Sequence, residues 1–286
     1  MFCEFFNFKE NPFSETPDSH YFFRATHQCN VLSRLASILD QGQGFAVLTG
    51  EVGLGKTFLA RTLLLLSERS AQTALLLFSA LEDQDLLASV VEEFGISVEP
   101  NASMKSMLKS LSEFLIQTAE DGQTAVLVID EAQNLTTSGL EVIRMLSNVE
   151  QDSRKLLQIV LVGQPELNSK LQDQSLRQLN QRIGIRLQLK PFLDFETAKY
   201  IQHRVEIAGG SNFIRWTPEA LKLIHKLSGG VPRLINLQGQ LVVDGASRKK
   251  TRIIDEATVR QALMEANILR IEKSFPFRKT ERLVQR

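Results

Sequence analysis

The 286-residue sequence is short of cysteine, tryptophan, proline and net charge. Its two cysteines, Cys3 and Cys29, cannot build a disulfide framework, which points to a reducing compartment. Lys plus Arg number 33 and Asp plus Glu number 33, so the formal charge is zero. That balance argues against a protein whose whole surface answers nucleic acid or an anionic membrane. No apolar run approaches the roughly 18 residues that span a bilayer. Glu4 arrives before any basic segment followed by an apolar one, so no secretory signal is expected. His20, His27, His203 and His225 are scattered without metal-ligand spacing. What is present is ordinary for a globular chain: 43% hydrophobic and 23% charged residues. The length suits one large and one small domain.

The first 23 residues hold Phe2, Phe5, Phe6, Phe8, Phe13, Phe22 and Phe23, seven of the 17 phenylalanines. Asn11-Pro12 and Thr16-Pro17-Asp18 are helix breakers. The segment reads as an extended strap pinned by aromatic anchors, packed on a core or forming a wall against a flat ligand ring. Val31, Leu32, Leu35, Ile38 and Leu39 then repeat with helical spacing over 25–40. Short apolar runs follow at Phe45–Leu48, Ala74–Phe78, Ala125–Ile129, Leu157–Val162 and Ile183–Leu189. The first four are nearly continuous, as central parallel strands buried on both faces require. Helical patterns over 56–69, 83–94, 103–120, 137–148 and 165–181 separate them. This alternation predicts an α/β fold with a parallel sheet and crossover helices. Lys190-Pro191-Phe192 ends the pattern, and the segments 194–208, 217–227, 231–247 and 255–269 are all helical. The expected organisation is a strap over 1–24, a core over 25–190, a helical domain over 191–269 and a basic tail over 270–286. Trp216 beside Thr217-Pro218 is expected to pack at a helix start.

Gly50-Glu51-Val52-Gly53-Leu54-Gly55-Lys56-Thr57 matches the G-x-x-x-x-G-K-[ST] phosphate loop. The glycines let backbone N–H groups converge on phosphate oxygens. Lys56 supplies charge at the β and γ phosphates, Thr57 binds Mg²⁺, and the following helix adds its positive dipole end. The octet sits between a predicted strand and a predicted helix, the context that this chemistry needs. Ala125–Ile129 ends in Asp130-Glu131, at the strand end where α/β sheets bind ligands. Asp130 is expected to hold Mg²⁺, and Glu131 to polarise a water for attack on the γ-phosphate. A water-activating acid favours hydrolysis over a small-molecule phosphotransferase, which must exclude water. Gln164 follows the run Leu157–Val162 and is a candidate for contact with the γ-phosphate or the water. Arg182, with Arg177 as alternative, precedes the fifth strand and is a candidate arginine finger for a neighbouring subunit. Arg233 in Gly229-Gly230-Val231-Pro232-Arg233 opens a helix and is a candidate γ-phosphate sensor in cis. For each of these polar residues the competing reading is a solvated loop side chain or a surface ion pair.

The combination resembles the AAA+ ATPase superfamily over almost the whole chain. It is most similar to the general secretion pathway A (ExeA) group. The similar stretches are Phe5–Phe13 with Thr16-Pro17-Asp18, Gly44-Phe45, Thr49–Gly53, Ile129–Leu135, Leu146-Ser147-Asn148 and Gln158–Leu167. The resemblance implies a five-stranded parallel sheet in the order 5-1-4-3-2 with a C-terminal helical lid. It implies ATP and Mg²⁺ as cofactors and ATP-driven assembly into a ring or filament, with the site at the subunit interface. By position in the family pattern, Pro12 and Phe13 are assigned to adenine, and Phe58 follows the loop where Thr or Leu is common. Members that assemble secretin channels continue into a transmembrane helix and a peptidoglycan-binding domain. The sequence stops soon after the lid, which fits shorter pilus-biogenesis relatives of the mannose-sensitive haemagglutinin M type.

The resulting expectation is a cytoplasmic Mg-dependent ATPase, recruited to the inner membrane by a protein partner. It would assist a type II secretion system or a type IV pilus. The alternative is a DNA-binding AAA+ regulator of transposition. Its support is the cluster Arg248-Lys249-Lys250-Thr251-Arg252 and a tail over 270–286 of formal charge about +4, since basic clusters attract phosphate backbones without reading sequence. The competing reading of both is a solvated turn and a frayed end.

Overall fold

The computed structural model describes residues 2–15, 19–42, 44–68, 70–77, 83–99, 102–151 and 154–268. The chain divides into two compact units, Arg24–Lys190 and Met1–Phe23 together with Pro191–Arg286. Helix α1 (Phe2–Phe6) belongs to the second unit.

In the first unit, α2 (Thr26–Gln41) stops at Gly42, whose φ of 64° lets its N–H return to Ile38 and Leu39. Along the chain follow β1 (Phe45–Thr49), α3 (Lys56–Ser67), β2 (Ala71–Leu76), α4 (Asp83–Glu93), α5 (Met104–Glu120) and β3 (Thr124–Ile129). Then come α6 (Thr137–Leu146), a two-residue hairpin β4 (Glu150–Gln151) and β5 (Arg154–Lys155), β6 (Leu157–Gly163), α7 (Glu166–Leu171), α8 (Arg177–Arg182) and β7 (Ile183–Gln188). Ser103 and Thr136 cap α5 and α6 by accepting from the N–H of Ser106 and Gly139.

The five long strands form one parallel sheet in the order β2-β3-β6-β1-β7. Counting only these strands along the chain, the order is 2-3-4-1-5, the expected 5-1-4-3-2 seen from the other edge. Strands β1 and β6 are buried at every position, and β3 at all but its first. The registers Thr49↔Gly163 and Ile129↔Leu161 bring the C-terminal ends of these strands to one edge. A buried polar side chain completes the other end. Gln158, at 0% exposure, accepts from Gly44 N at 2.7 Å and donates to Lys155 O at 3.0 Å. Unpaired, that amide would cost a few kcal/mol.

Three expectations change. Strand β2 starts at Ala71 rather than 74, because it is an edge strand with an alternating burial pattern that tolerates Gln72 and Thr73. Phe78, the expected end of that run, lies outside the described residues. The single helix expected over 165–181 is α7, a 3-10 turn at Gln174–Leu176 and α8. Asp173 breaks it by accepting from the backbone and side chain of Ser175 at 2.8 and 2.6 Å, a local alternative to the helical ladder. The first residues are not wholly extended, since α1 precedes the first breaker.

The second unit holds α9 (Asp194–Ile207), α10 (Pro218–Ser228), α11 (Pro232–Arg248) and α12 (Glu256–Glu265). The two-residue strands β8 (Arg215–Trp216) and β9 (Ile253–Ile254) pair in parallel and escaped the sequence reading because they are too short for any periodicity. Thr217 caps α10 and Asp255 caps α12. The N-terminal residues pack within this unit. Phe6 and Phe13 are fully buried, and the Phe13 ring lies edge-on to Trp216 at 6.3 Å, over the space that Gly239 leaves open. Arg204 fastens the segment. Its buried guanidinium donates to the carbonyls of Pro12 and Ser14 and to the Tyr200 hydroxyl, and lies 4.5 Å from the centre of the Tyr21 ring. The basic tail at 270–286 lies outside the described residues.

Candidate nucleotide site

The octet Gly50–Thr57 leaves the end of β1 and opens α3. Gly50 N donates to Gly163 O at 3.2 Å and Leu189 N to Thr49 O at 2.7 Å, so both flanking strands hold the root of the loop. Leu54, only 3% exposed, plugs the loop into the core, while Val52 stays exposed. Gly55 has φ 87°, a conformation that a side chain rarely adopts, and turns the chain directly into α3. The N-terminal N–H groups of α3 have no side-chain cap and face the loop as an anion site needs.

Lys56 is 6% exposed and reaches back over the loop, donating to Gly50 O at 2.8 Å and Glu51 O at 3.1 Å. Burial pulls its ammonium below the usual lysine range, and the charges of Glu131, Asp130, Glu51 and Glu166 work against that. The next residue, Thr57, donates its hydroxyl to Asp130 Oδ2. The other carboxylate oxygen of Asp130 accepts from Glu131 N at 2.9 Å. A hydroxyl and a carboxylate oxygen therefore converge at one point beside the loop. Two hard oxygen donors suit Mg²⁺, which keeps several waters and takes its remaining ligands from phosphates. Among the described residues there is no cluster of three or more His, Cys, Asp and Glu that could hold a metal ion.

Glu131 has φ 51°, an uncommon value for a side-chain-bearing residue, so the chain turns sharply at the end of β3. Its Oε2 accepts from Gln133 Nε2 at 2.6 Å and from Gln164 Nε2 at 3.4 Å. Gln133 Oε1 in turn accepts from Gln164 N at 3.0 Å. The acid and the polar end of β6 are thus one hydrogen-bonded group. Gln133 has no role in the sequence reading, although it lies in the motif stretch Ile129–Leu135. A second link is also new. Arg186 on β7 donates to Asn168 at 3.1 Å and to Asn180, and Asn168 donates to Thr49 Oγ1 at 3.1 Å. It ties α7 and α8 to the loop root.

The surroundings of the other named residues are as follows. Arg182 donates to Ser147 Oγ at 2.7 Å and Arg144 O at 3.3 Å, at the C-terminal end of α6. Arg177 is exposed at the start of α8. Arg233 is exposed near the start of α11, with Nε 3.4 Å from Glu15 Oε2. Pro12 and Phe13 are both buried within the second unit. Phe58 is half-buried on α3.

An AAA domain description matches residues 39–171. General secretion pathway protein A of Aeromonas hydrophila is 40% identical over 237 residues, which are 83% of this chain and 43% of that protein. The chain thus spans a little under half the length of this relative. The Aeropyrum pernix ORC2 protein, solved in ADPNP–ADP complexes, superposes with a TM-score of 0.68 at 20% identity, covering 90% of this chain and 72% of its own. The RuvB Holliday junction branch migration motor of Thermotoga maritima superposes at 0.57 and 22% identity, covering 84% and 70%. At such identities these two structures speak for the fold.

Proposed function

We propose that this chain, an AAA+ protein and a homologue of general secretion pathway protein A, binds ATP with Mg²⁺ and hydrolyses it to ADP and phosphate. The observation that carries the reading is the meeting at one sheet edge of Lys56, the Thr57–Asp130 pair and the Glu131–Gln133–Gln164 group. Lys56 and the α3 N-terminus neutralise the phosphates. Thr57 and Asp130 would hold Mg²⁺, which would supply positive charge beside the phosphate oxygens. Glu131 takes the proton of the attacking water, and Gln164 orients that water or the γ-phosphate. Arg182, or the more exposed Arg177, serves a neighbouring subunit's γ-phosphate. Arg233 is the sensor in cis.

The finer reading extends the family resemblance of the sequence, with the secretion-pathway relative in support. On ATP the protein assembles with copies of itself into a ring or filament. It assists the construction of an envelope machine, a type II secretion system or a type IV pilus, through a protein partner at the inner membrane. No described helix is long and apolar enough to cross a membrane. The DNA-binding alternative draws less support, because three residues of its basic cluster are engaged locally. Arg248 pairs with Asp244 and Glu265, Lys249 bonds to Gln261, and Arg252 lies over Phe5 and Phe213.

ATP turnover per subunit, measured against protein concentration with and without duplex DNA, tests this. A rate that rises with concentration and ignores DNA is expected. A rate that needs DNA would transfer the assignment to the transposition-type switch. Glu131→Gln should bind ATP and turn it over about 100-fold more slowly or worse; normal turnover would remove Glu131 from the role of base.

A further inference from the structure

Glu131 as the base fixes only one end of the chemistry. A carboxylate on a two-fold rotor does not activate a water unless something sets its plane, and misplacement by about 1 Å costs on the order of 100-fold. The backbone at Glu131 is already committed to an unusual turn, with φ 51°. What remains to be set is the side chain, and Gln133 reaches it, Nε2 to Oε2 at 2.6 Å.

The Gln133 side chain is itself held on its second polar atom. Its Oε1 accepts from Gln164 N at 3.0 Å, so the amide cannot flip without losing both bonds. Its backbone is held as well. Lys170 of α7 donates to the carbonyl of Gln133 at 3.0 Å and to that of Leu135. The space for the amide is provided by the neighbouring strand. A Cβ built on Gly163 would lie 2.7 Å from Gln133 Oε1, 3.0 Å from Leu167 Cδ2 and 3.4 Å from Gln133 N. Gly163 is the last residue of β6, and it pairs with Thr49 at the root of the phosphate loop. A side chain at this position would displace the amide from between Glu131 and Gln164.

We infer that Gln133 is a positioning residue for hydrolysis. Its amide, seated in the gap left by Gly163, sets the Glu131 carboxylate and locks it to the Gln164 end of β6. The inference rests on Glu131 being the base and adds what orients it. Gln133 touches neither ATP nor water in this role, so its loss acts on turnover and not on nucleotide binding.

The test compares Gln133→Ala, Gln133→Glu, Gly163→Ala, the double variant Gln133→Ala with Gly163→Ala, and Glu131→Gln, each in full-length protein. ATP affinity is read by titration and kcat by steady-state hydrolysis. Gln133→Ala should lower kcat by about 10- to 100-fold with ATP affinity within about two-fold of the parent. Gln133→Glu keeps the shape and the acceptor but loses the amide donor, so kcat should fall at least as far; a side chain that merely fills space would tolerate it. Gly163→Ala should also lower kcat, and should cost much less in the Gln133→Ala background, where the clashing amide is gone. Full kcat in both Gln133 variants, with Glu131→Gln slow, would overturn the inference and leave the base intact. Equal costs of Gly163→Ala in both backgrounds would also overturn it. Normal turnover in Glu131→Gln would instead reject the reading on which it rests.

Discussion

Thr57 donates its hydroxyl to the carboxylate of Asp130 across 73 residues of sequence. One residue lies in the first turn of α3 and the other directly follows β3, and the β3–β6–β1 order of the sheet brings them together. If the pair holds Mg²⁺, Asp130→Asn should weaken binding of Mg·ATP about 10-fold or more while leaving metal-free ATP affinity nearly unchanged. Calorimetric titration with Mg²⁺ and with a chelator separates the two. Equal affinities of the parent and Asp130→Asn for Mg·ATP would place the metal elsewhere.

Lys56 is a buried cation that donates to the carbonyls of Gly50 and Glu51. Burial lowers its pKa, so across the alkaline range the unfolded chain binds more protons than the folded one, and stability rises with pH there. Lys56→Met should therefore raise nucleotide-free stability by about 1 kcal/mol near neutral pH and flatten its alkaline rise. The same variant should lose ATP binding. Unchanged ATP affinity would reject the phosphate-loop role.

Arg182 is docked on the end of α6, and Arg177 is not. Arg182→Ala should cost about 1–2 kcal/mol of stability through the lost bonds to Ser147 and Arg144, whereas Arg177→Ala should cost almost none. Whichever serves in trans should bind ATP, hydrolyse poorly alone, and regain activity when mixed with Glu131→Gln subunits. Absence of rescue for both variants at every mixing ratio would argue against a shared site.

Arg204→Met should release the N-terminal segment. It removes the donors to Pro12, Ser14 and Tyr200, a loss of about 3 kcal/mol. Limited proteolysis should then cut near residue 12 far faster than in the parent. An unchanged cleavage rate would mean that the ring packing of Phe6 and Phe13 suffices.

His203 is held neutral by burial, with its Nε2 lacking a hydrogen-bond partner among the described residues. Glu206 and the Phe22 backbone push its pKa up, Arg204 and His20 push it down, and burial dominates. The folded pKa lies below the ordinary value near 6.5, so the unfolded chain gains the proton first as pH falls. Stability from this site is complete above about pH 6.5 and is lost progressively below it. Denaturant midpoints between pH 7.5 and 5 should fall more steeply for the parent than for His203→Gln. Parallel slopes would assign the acid sensitivity to other groups.

The sequence by itself determined the parts that depend on local chemistry. Buried central strands announce themselves as unbroken apolar runs, and β1, β3 and β6 lie where those runs lie. Edge strands bury one face and face solvent with the other, so β2 was misplaced by three residues. The Gly50–Thr57 octet was legible because each position answers a phosphate requirement. Thr57, Asp130, Glu131 and Gln164 were named one at a time, from strand ends and spacing. Only the tertiary structure decided who touches whom. Gln133 meets Gln164 because β3 and β6 are neighbours in the sheet, a pairing between segments 31 residues apart. Arg204 meets Pro12 across 192 residues. A hydrogen bond reaches about 3 Å, and distance along the chain says nothing about distance in space until the sheet order and the helix packing are set.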